Sequence, residues 1–129
     1  MKKIYLVGIG MGNAETLTEQ GRKAVEESEL LIGAERMVKS FPDYQGDICY
    51  AISPEKIMDG ILEHPSCQRV AVVFSGDVGF FSGAKKLNQA IEERKTENLW
   101  RDYETEFIPG ISSLQYLASK LKLPWEDAK

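Results

Sequence analysis

The chain of 129 residues has one histidine, His64, and two cysteines, Cys49 and Cys67. A single histidine excludes a His-rich metal site. The two cysteines have neither the paired spacing of a zinc site nor the number of a disulfide framework, so they read as ordinary structural thiols and no metal is expected. His64 sits beside Pro65 in a polar stretch, which leaves a Ser/His/Asp nucleophile set without a usable base. No apolar run approaches the ~18 residues of a membrane span. The opening run from Lys2 to Val7 meets Gly8 too early to be a signal-peptide core. With 16 basic against 20 acidic residues the net charge is −4, the opposite of the basic stripe that marks a nucleic-acid binder. A hydrophobic share of 43% and a charged share of 28% fit one soluble globular domain with a proper core. The expected setting is cytoplasmic, where thiols stay reduced.

What is present is a regular alternation of apolar runs and helical patterns. Lys3 to Val7 reads as a buried strand closed by a glycine-rich turn over residues 8–13. Thr16 or Thr18 offers an N-cap for a helix through about Ser28, and Thr16 and Glu19 have capping-box spacing. Leu30 to Ile32 is a second strand ended by Gly33, and Ala34 to Ser40 a short helix stopped before Pro42. Asp47 to Tyr50 is a weak third strand. Ser53 then Pro54 open a helix with Ile57, Ile61 and Leu62 at helical spacing. Arg69 to Phe74 is the strongest strand, a run without polar alternation that fits burial on both faces. A helix follows from about Gly83 to Lys95, then a fifth strand from Tyr103 to Ile108, and a last helix carrying Leu114, Leu117 and Leu121. Trp100 and Trp125 are expected at core edges, and Lys85-Lys86 in solvent. The predicted class is α/β: a mostly parallel five-stranded sheet flanked by helices.

Three turns follow strands, at residues 8–13, 75–80 and 109–113, and an open α/β sheet binds ligands at the carboxyl ends of its strands. The first, Gly8-Ile9-Gly10-Met11-Gly12-Asn13, lets backbone approach a bulky ligand. It lacks the third glycine of a dinucleotide fingerprint and the Lys-Ser/Thr of a phosphate loop, and a tight strand-to-helix turn accounts for it equally well. The second, Ser75-Gly76-Asp77, puts a carboxylate where it could accept hydrogen bonds from ribose hydroxyls or an amine. The alternative is an Asp that caps the next turn. Phe80-Phe81 could form a stacking wall or core. The third, Pro109-Gly110-Ile111-Ser112-Ser113, offers hydroxyls and helix-start N–H groups to a polar ligand, or simple capping by Ser112. Glu35-Arg36 could reach a ligand or form a solvated helix start.

Together the three turns resemble the tetrapyrrole (corrin and porphyrin) methyltransferase family. Its members carry Gly-x-Gly-Pro-Gly after the first strand, a Gly-Asp-Pro loop after the central one, and Pro-Gly-Ile/Val-Ser/Thr-Ser/Ala after the fifth. Order and spacing agree over nearly the whole chain. Residues 32–36, 75–83, 108–116 and 123–128 look like the branch that methylates precorrin-6Y, or cobalt-precorrin-7, at C5. Met11 and Val78 stand where the family has prolines, which removes two fixed φ angles. The resemblance implies S-adenosylmethionine as methyl donor and a corrin precursor in cobalamin biosynthesis as acceptor. It implies cofactor contacts at Ser75, Gly76, Asp77 and Phe80, with Ser112 and Ser113 on the other side. Gly8, Gly10, Met11 and Gly12 would border the macrocycle, and Arg36 would meet its carboxylates. It also implies that residues 1–129 are an N-terminal half whose second domain is absent from this chain. The expected assembly is a homodimer without nucleic-acid or membrane partners, working beside a C15-methylating, decarboxylating enzyme. Two other readings are an interaction module with vestigial contacts and a nucleotide-binding oxidoreductase domain; the absent fingerprint glycine speaks against the latter.

Overall fold

The computed structural model of the chain describes residues 2–9, 18–75, 78–95 and 98–108. In chain order the elements are β1 (Lys2–Ile9), α1 (Glu19–Glu27), β2 (Leu30–Gly33), α2 (Glu35–Val38), β3 (Asp47–Tyr50), α3 (Pro54–Leu62), β4 (Arg69–Ser75), α4 (Val78–Glu93), α5 (Asn98–Arg101) and β5 (Tyr103–Ile108). The five strands form one sheet in the order β3-β2-β4-β1-β5, and every pairing is parallel.

The local signals act as their chemistry requires. Thr18 caps α1, its hydroxyl accepting from the Gly21 N–H at 3.0 Å; Thr16 lies outside the described residues. Ser53 caps α3 by accepting from the Lys56 N–H, with Pro54 in the first turn where its missing donor costs nothing. The last predicted helix and Trp125 lie outside the described residues.

Strand alternation sorts the interior into two layers. Ile4, Leu6, Leu30, Ile32, Val70 and Val72 face α3 and α4, meeting Ile57, Met58, Ile61, Ala84, Leu87 and Ile91. Val7, Ile9, Leu31, Ala71, Val73 and Ile108 face α1 and α2, meeting Ala24, Val25, Met37 and Val38. β1 and β4 are therefore buried on both faces, as their unbroken apolar runs require.

Three expectations are revised. Gly8 and Ile9 belong to β1, because they continue its ladder opposite Phe74 and Ser75. Helix α4 starts at Val78, so Val78 to Ser82 are helical rather than loop. Trp100 is fully buried core on the short helix α5, its ring 5.1 Å from that of Tyr103; a helix of four residues has too little length to show a period.

Burial pushes the Cys49 and Cys67 thiols and the Tyr44 and Tyr103 phenols above their ordinary values, desolvation of the charged form being the main cause in each. The folded state thus prefers these groups protonated. Their contribution to stability is full below the ordinary thiol and phenol values, about 8.5 and 10, and is lost as the pH rises through the raised folded values. The melting temperature should fall steadily above about pH 8.5, and the double variant Cys49→Ala/Cys67→Ala should flatten the first part of that fall. Leu6→Ala, in an interior strand, should cost about 2–5 kcal/mol in urea denaturation. Ile48→Ala, on the exposed edge, should change stability by about 0.5 kcal/mol or less.

Candidate functional site

A right-handed crossover places its helix on the face set by the direction in which the chain moves along the sheet. From β1 the chain moves past β4 to β2, and α1 lies on the face of Val7 and Ile9. From β4 it moves the other way, past β1 to β5, and α4 lies on the face of Leu6 and Val72. The connections leaving the carboxyl ends of these two neighbours therefore diverge to opposite faces. That divergence is a topological switch point, the place where open α/β sheets form their ligand crevice, here between the ends of β1 and β4.

The register shows which residues border it. Ile9 pairs with Ser75 and Gly8 with Phe74, while Ile108 of β5 pairs with Val7 on the other side of β1. The three turns singled out in the sequence thus leave from three adjacent strand ends on one edge of the sheet. Of the expected site residues, Gly8 is a buried residue of β1 and Ser75 the last residue of β4. Phe80 falls in the first turn of α4. Gly10, Met11, Gly12, Gly76, Asp77, Ser112 and Ser113 lie outside the described residues.

Arg36 is exposed on α2, which follows β2 at the same carboxyl edge and packs against β2 and β4. Next to it Glu35 and Lys39 form an ion pair at 2.6 Å, and that carboxylate holds the Lys39 ammonium above its ordinary pKa. An open depression of about 460 Å³ lies beyond, at the ends of β2 and β3, between Ala34, Tyr50, Ile52 and Lys56. Ile52 is 76% exposed there, a feature that the sequence does not announce.

A larger cavity of about 730 Å³ lies between Arg22, Ser28, Glu29, Tyr44, Asp47 and Cys67. These residues gather at the amino ends of β2, β3 and β4, the edge opposite the crevice. Its polar groups are largely occupied with one another. The Tyr44 hydroxyl donates to the Ser28 carbonyl at 3.0 Å, the Ser28 hydroxyl donates to the Val25 carbonyl at 2.7 Å, and Glu29 accepts from the backbone N–H groups of Gln68 and Arg69. Size alone would favour this cavity; topology and the glycine-bearing turns favour the crevice. Among the described residues no group of three or more His, Cys, Asp and Glu is placed to hold a metal, and no helix is long and apolar enough to cross a membrane.

The crevice suits a nucleoside-bearing cofactor. It lies at the switch point of a parallel sheet, where the ends of two neighbouring strands pair, Ile9 with Ser75. Two further residues lie beside the end of β4 without standing out in the sequence. Gly33 reads there only as a strand terminator and Gly83 as a helix start, yet each is packed against the last residues of β4.

Comparison with known proteins agrees with this architecture. The family model for Tetrapyrrole (Corrin/Porphyrin) Methylases matches residues 3–129. A Methanocaldococcus jannaschii protein named "Probable cobalt-precorrin-7 C(5)-methyltransferase" is 35% identical over 130 residues, covering 96% of this chain and 56% of its own length. The structure of a precorrin-6Y methylase from Archaeoglobus fulgidus superposes with a TM-score of 0.60 at 24% identity, over 98% of this chain and 60% of that one. The structure of a uroporphyrin-III C-methyltransferase from Thermus thermophilus, complexed with S-adenosylhomocysteine, gives a TM-score of 0.63 at 22% identity, over 95% of this chain and 49% of that one. At these identities the two structures speak to the fold. The chain spans about half the length, or less, of the curated relatives it matches. Since the family match runs from the first strand through the last residue, the chain belongs to the Tetrapyrrole (Corrin/Porphyrin) Methylases.

Proposed function

We propose that this chain is the N-terminal, cofactor-holding half of an S-adenosylmethionine-dependent C-methyltransferase of cobalamin biosynthesis, acting at C5 of a corrin precursor (precorrin-6Y or cobalt-precorrin-7). The observation that carries the reading is the switch point between β1 and β4, with Ile9 opposite Ser75. The C5 step rests on the 35% identical relative and on the sequence motifs.

When bound, S-adenosylmethionine supplies an electrophilic sulfonium methyl group. The acceptor carbon is enamine-like, so the chain's residues have little proton transfer to perform. Their task is to hold two carbons roughly 3 Å apart and in line, away from water. Ser75, Gly76 and Asp77 are assigned to the cofactor, the Asp77 carboxylate accepting from ribose hydroxyls or the amine. Phe80 walls one side, and Ser112 and Ser113 close the other. Gly8, Gly10, Met11 and Gly12 border the macrocycle, where the absence of Cβ at three of the four lets a flat ligand approach. Arg36 faces the substrate's carboxylates. A net charge of −4 means that further cationic contacts come from the second half.

A homodimer is the assembly we favour; the exposed Ile48 and Tyr50 on the edge strand β3, with the exposed Ile52 just past it, support it. C15 methylation and decarboxylation belong to a separate or fused partner enzyme. The free thiols of Cys49 and Cys67 suit a reducing cytoplasm.

Isothermal titration of the full-length protein with S-adenosylhomocysteine should give saturable binding, and titration with NAD none; the reverse would make the oxidoreductase reading the better one. Asp77→Ala should weaken S-adenosylhomocysteine binding by roughly 1.5–3 kcal/mol with little change in melting temperature. Lost stability with unchanged affinity per folded molecule would instead identify Asp77 as a helix cap. Residues 1–129 alone should transfer no methyl group at a measurable rate, since half a cleft forfeits an orientation term of up to ~7–11 kcal/mol. Turnover by that chain without its second half, in a methyl-transfer assay on a corrin precursor, would refute the two-half arrangement.

A further inference from the structure

We infer that Gly33 and Gly83 are positioning residues that hold the carboxyl end of β4, one from the neighbouring strand β2 and one from the covering helix α4, and so fix the strand end that carries Ser75; this rests on the functional reading above. Gly33 ends β2 just past the last β2–β4 pair, Ile32 with Val72. A Cβ there would lie 2.6 Å from Val73 Cγ2 and 3.0 Å from the Val73 carbonyl oxygen. Neither atom can yield alone: Val73 is β-branched and stiff at χ1, and the carbonyl is part of the β4 backbone. Gly83, on α4, lies against the Phe74 ring; a Cβ there would come within 3.0 Å of Cδ1 and 3.1 Å of Cε1.

Val73 and Phe74 are the two residues before Ser75, and their side chains point to opposite layers. Glycine at both positions leaves room for the Val73 and Phe74 side chains at the end of β4. A methyl group at Gly33 would press on the Val73 side chain and carbonyl, and one at Gly83 on the Phe74 ring, in each case next to the Ile9–Ser75 pair that ends the β1–β4 ladder. Gly33 shares its surroundings with Ala51, whose N–H donates to the Gly33 carbonyl at 3.0 Å. β2 is therefore tied on its far side, and the pressure falls on β4.

The test uses the full-length protein with S-adenosylhomocysteine as probe. Gly33→Ala should bind about tenfold more weakly or worse, the usual scale of an overpacked contact. Adding Val73→Ala should remove the 2.6 Å side-chain clash but not the 3.0 Å carbonyl contact, and so bring affinity part of the way back toward that of Val73→Ala alone, a coupling that independent sites would not show. Gly83→Ala keeps the test decisive if Gly33→Ala does not fold. Alanine is the better helix former, which offsets part of the cost of the contact with Phe74, so this variant should fold and bind several-fold more weakly per folded molecule, a loss that a purely structural role would not produce. Amide hydrogen exchange at Val73 to Ser75 reads the clamp without ligand and should quicken in both variants. Unchanged affinity and unchanged exchange overturn the inference. Wild-type protein that does not bind S-adenosylhomocysteine overturns the functional reading instead, and exchange alone then judges the clamp.

Discussion

The parallel pairing of β1 between β4 and β5 is the constraint on which the rest of the structure depends. A strand with neighbours on both sides and helices on both faces must be apolar along most of its length, and Ile4, Leu6, Val7 and Ile9 are all fully buried, with Tyr5 partly so. Its charges are confined to its start. The Lys2 ammonium donates to the Pro65 carbonyl at 2.6 Å and lies 5.4 Å from the centre of the Tyr103 ring. Lys3 pairs with Glu104 at 3.1 Å and Glu106 at 3.4 Å, and these carboxylates hold its pKa above the ordinary value. These pairs are exposed and individually weak. They mark the amino end of the strand and leave its carboxyl end free of charge up to the crevice.

Because all strands run the same way, the two edges of the sheet take up different work. The amino edge is bound together by backbone and side-chain hydrogen bonds between distant segments: Lys3 N–H to the Gln68 carbonyl, Glu29 N–H to the Arg69 carbonyl, Asp47 N–H to the Glu29 carbonyl, and the Glu29 carboxylate to the Gln68 and Arg69 N–H groups. The carboxyl edge is where β1, β4 and β5 end, the strands that the glycine-bearing segments follow in the sequence. A rigid scaffold at one edge and ligand-facing loops at the other is the usual division of labour in open α/β sheets.

Much of this was legible before any coordinates. The span of β5, the weak β3, the Ser53-Pro54 helix start and the sequential order of strands and turns follow from local chemistry: apolar runs, caps and breakers. The start of α4 was not legible, because Gly79 and Gly83 are poor helix formers and the helix is stabilised by packing Ala84, Leu87 and Ile91 against the sheet. The extension of β1 through Gly8 and Ile9 was hidden for a related reason. Glycine reads as punctuation in a sequence, while the ladder opposite Phe74 and Ser75 keeps it in the strand. The roles of Gly33 and Gly83 were hidden too, since a missing Cβ has meaning only once the atoms that would meet it are in place.

By itself, then, the sequence determined the α/β class, the alternation of elements and the kind of residue in each turn, all of which depend on neighbours within a few positions. Only the tertiary structure decided that β4 and β5 flank β1, that the connections from β1 and β4 leave for opposite faces, and that Ser75 stands beside Ile9. The physical reason is that a parallel strand takes its hydrogen-bond partners from across a crossover. The identity of those partners is settled by how two buried layers pack at once, and no local pattern records it.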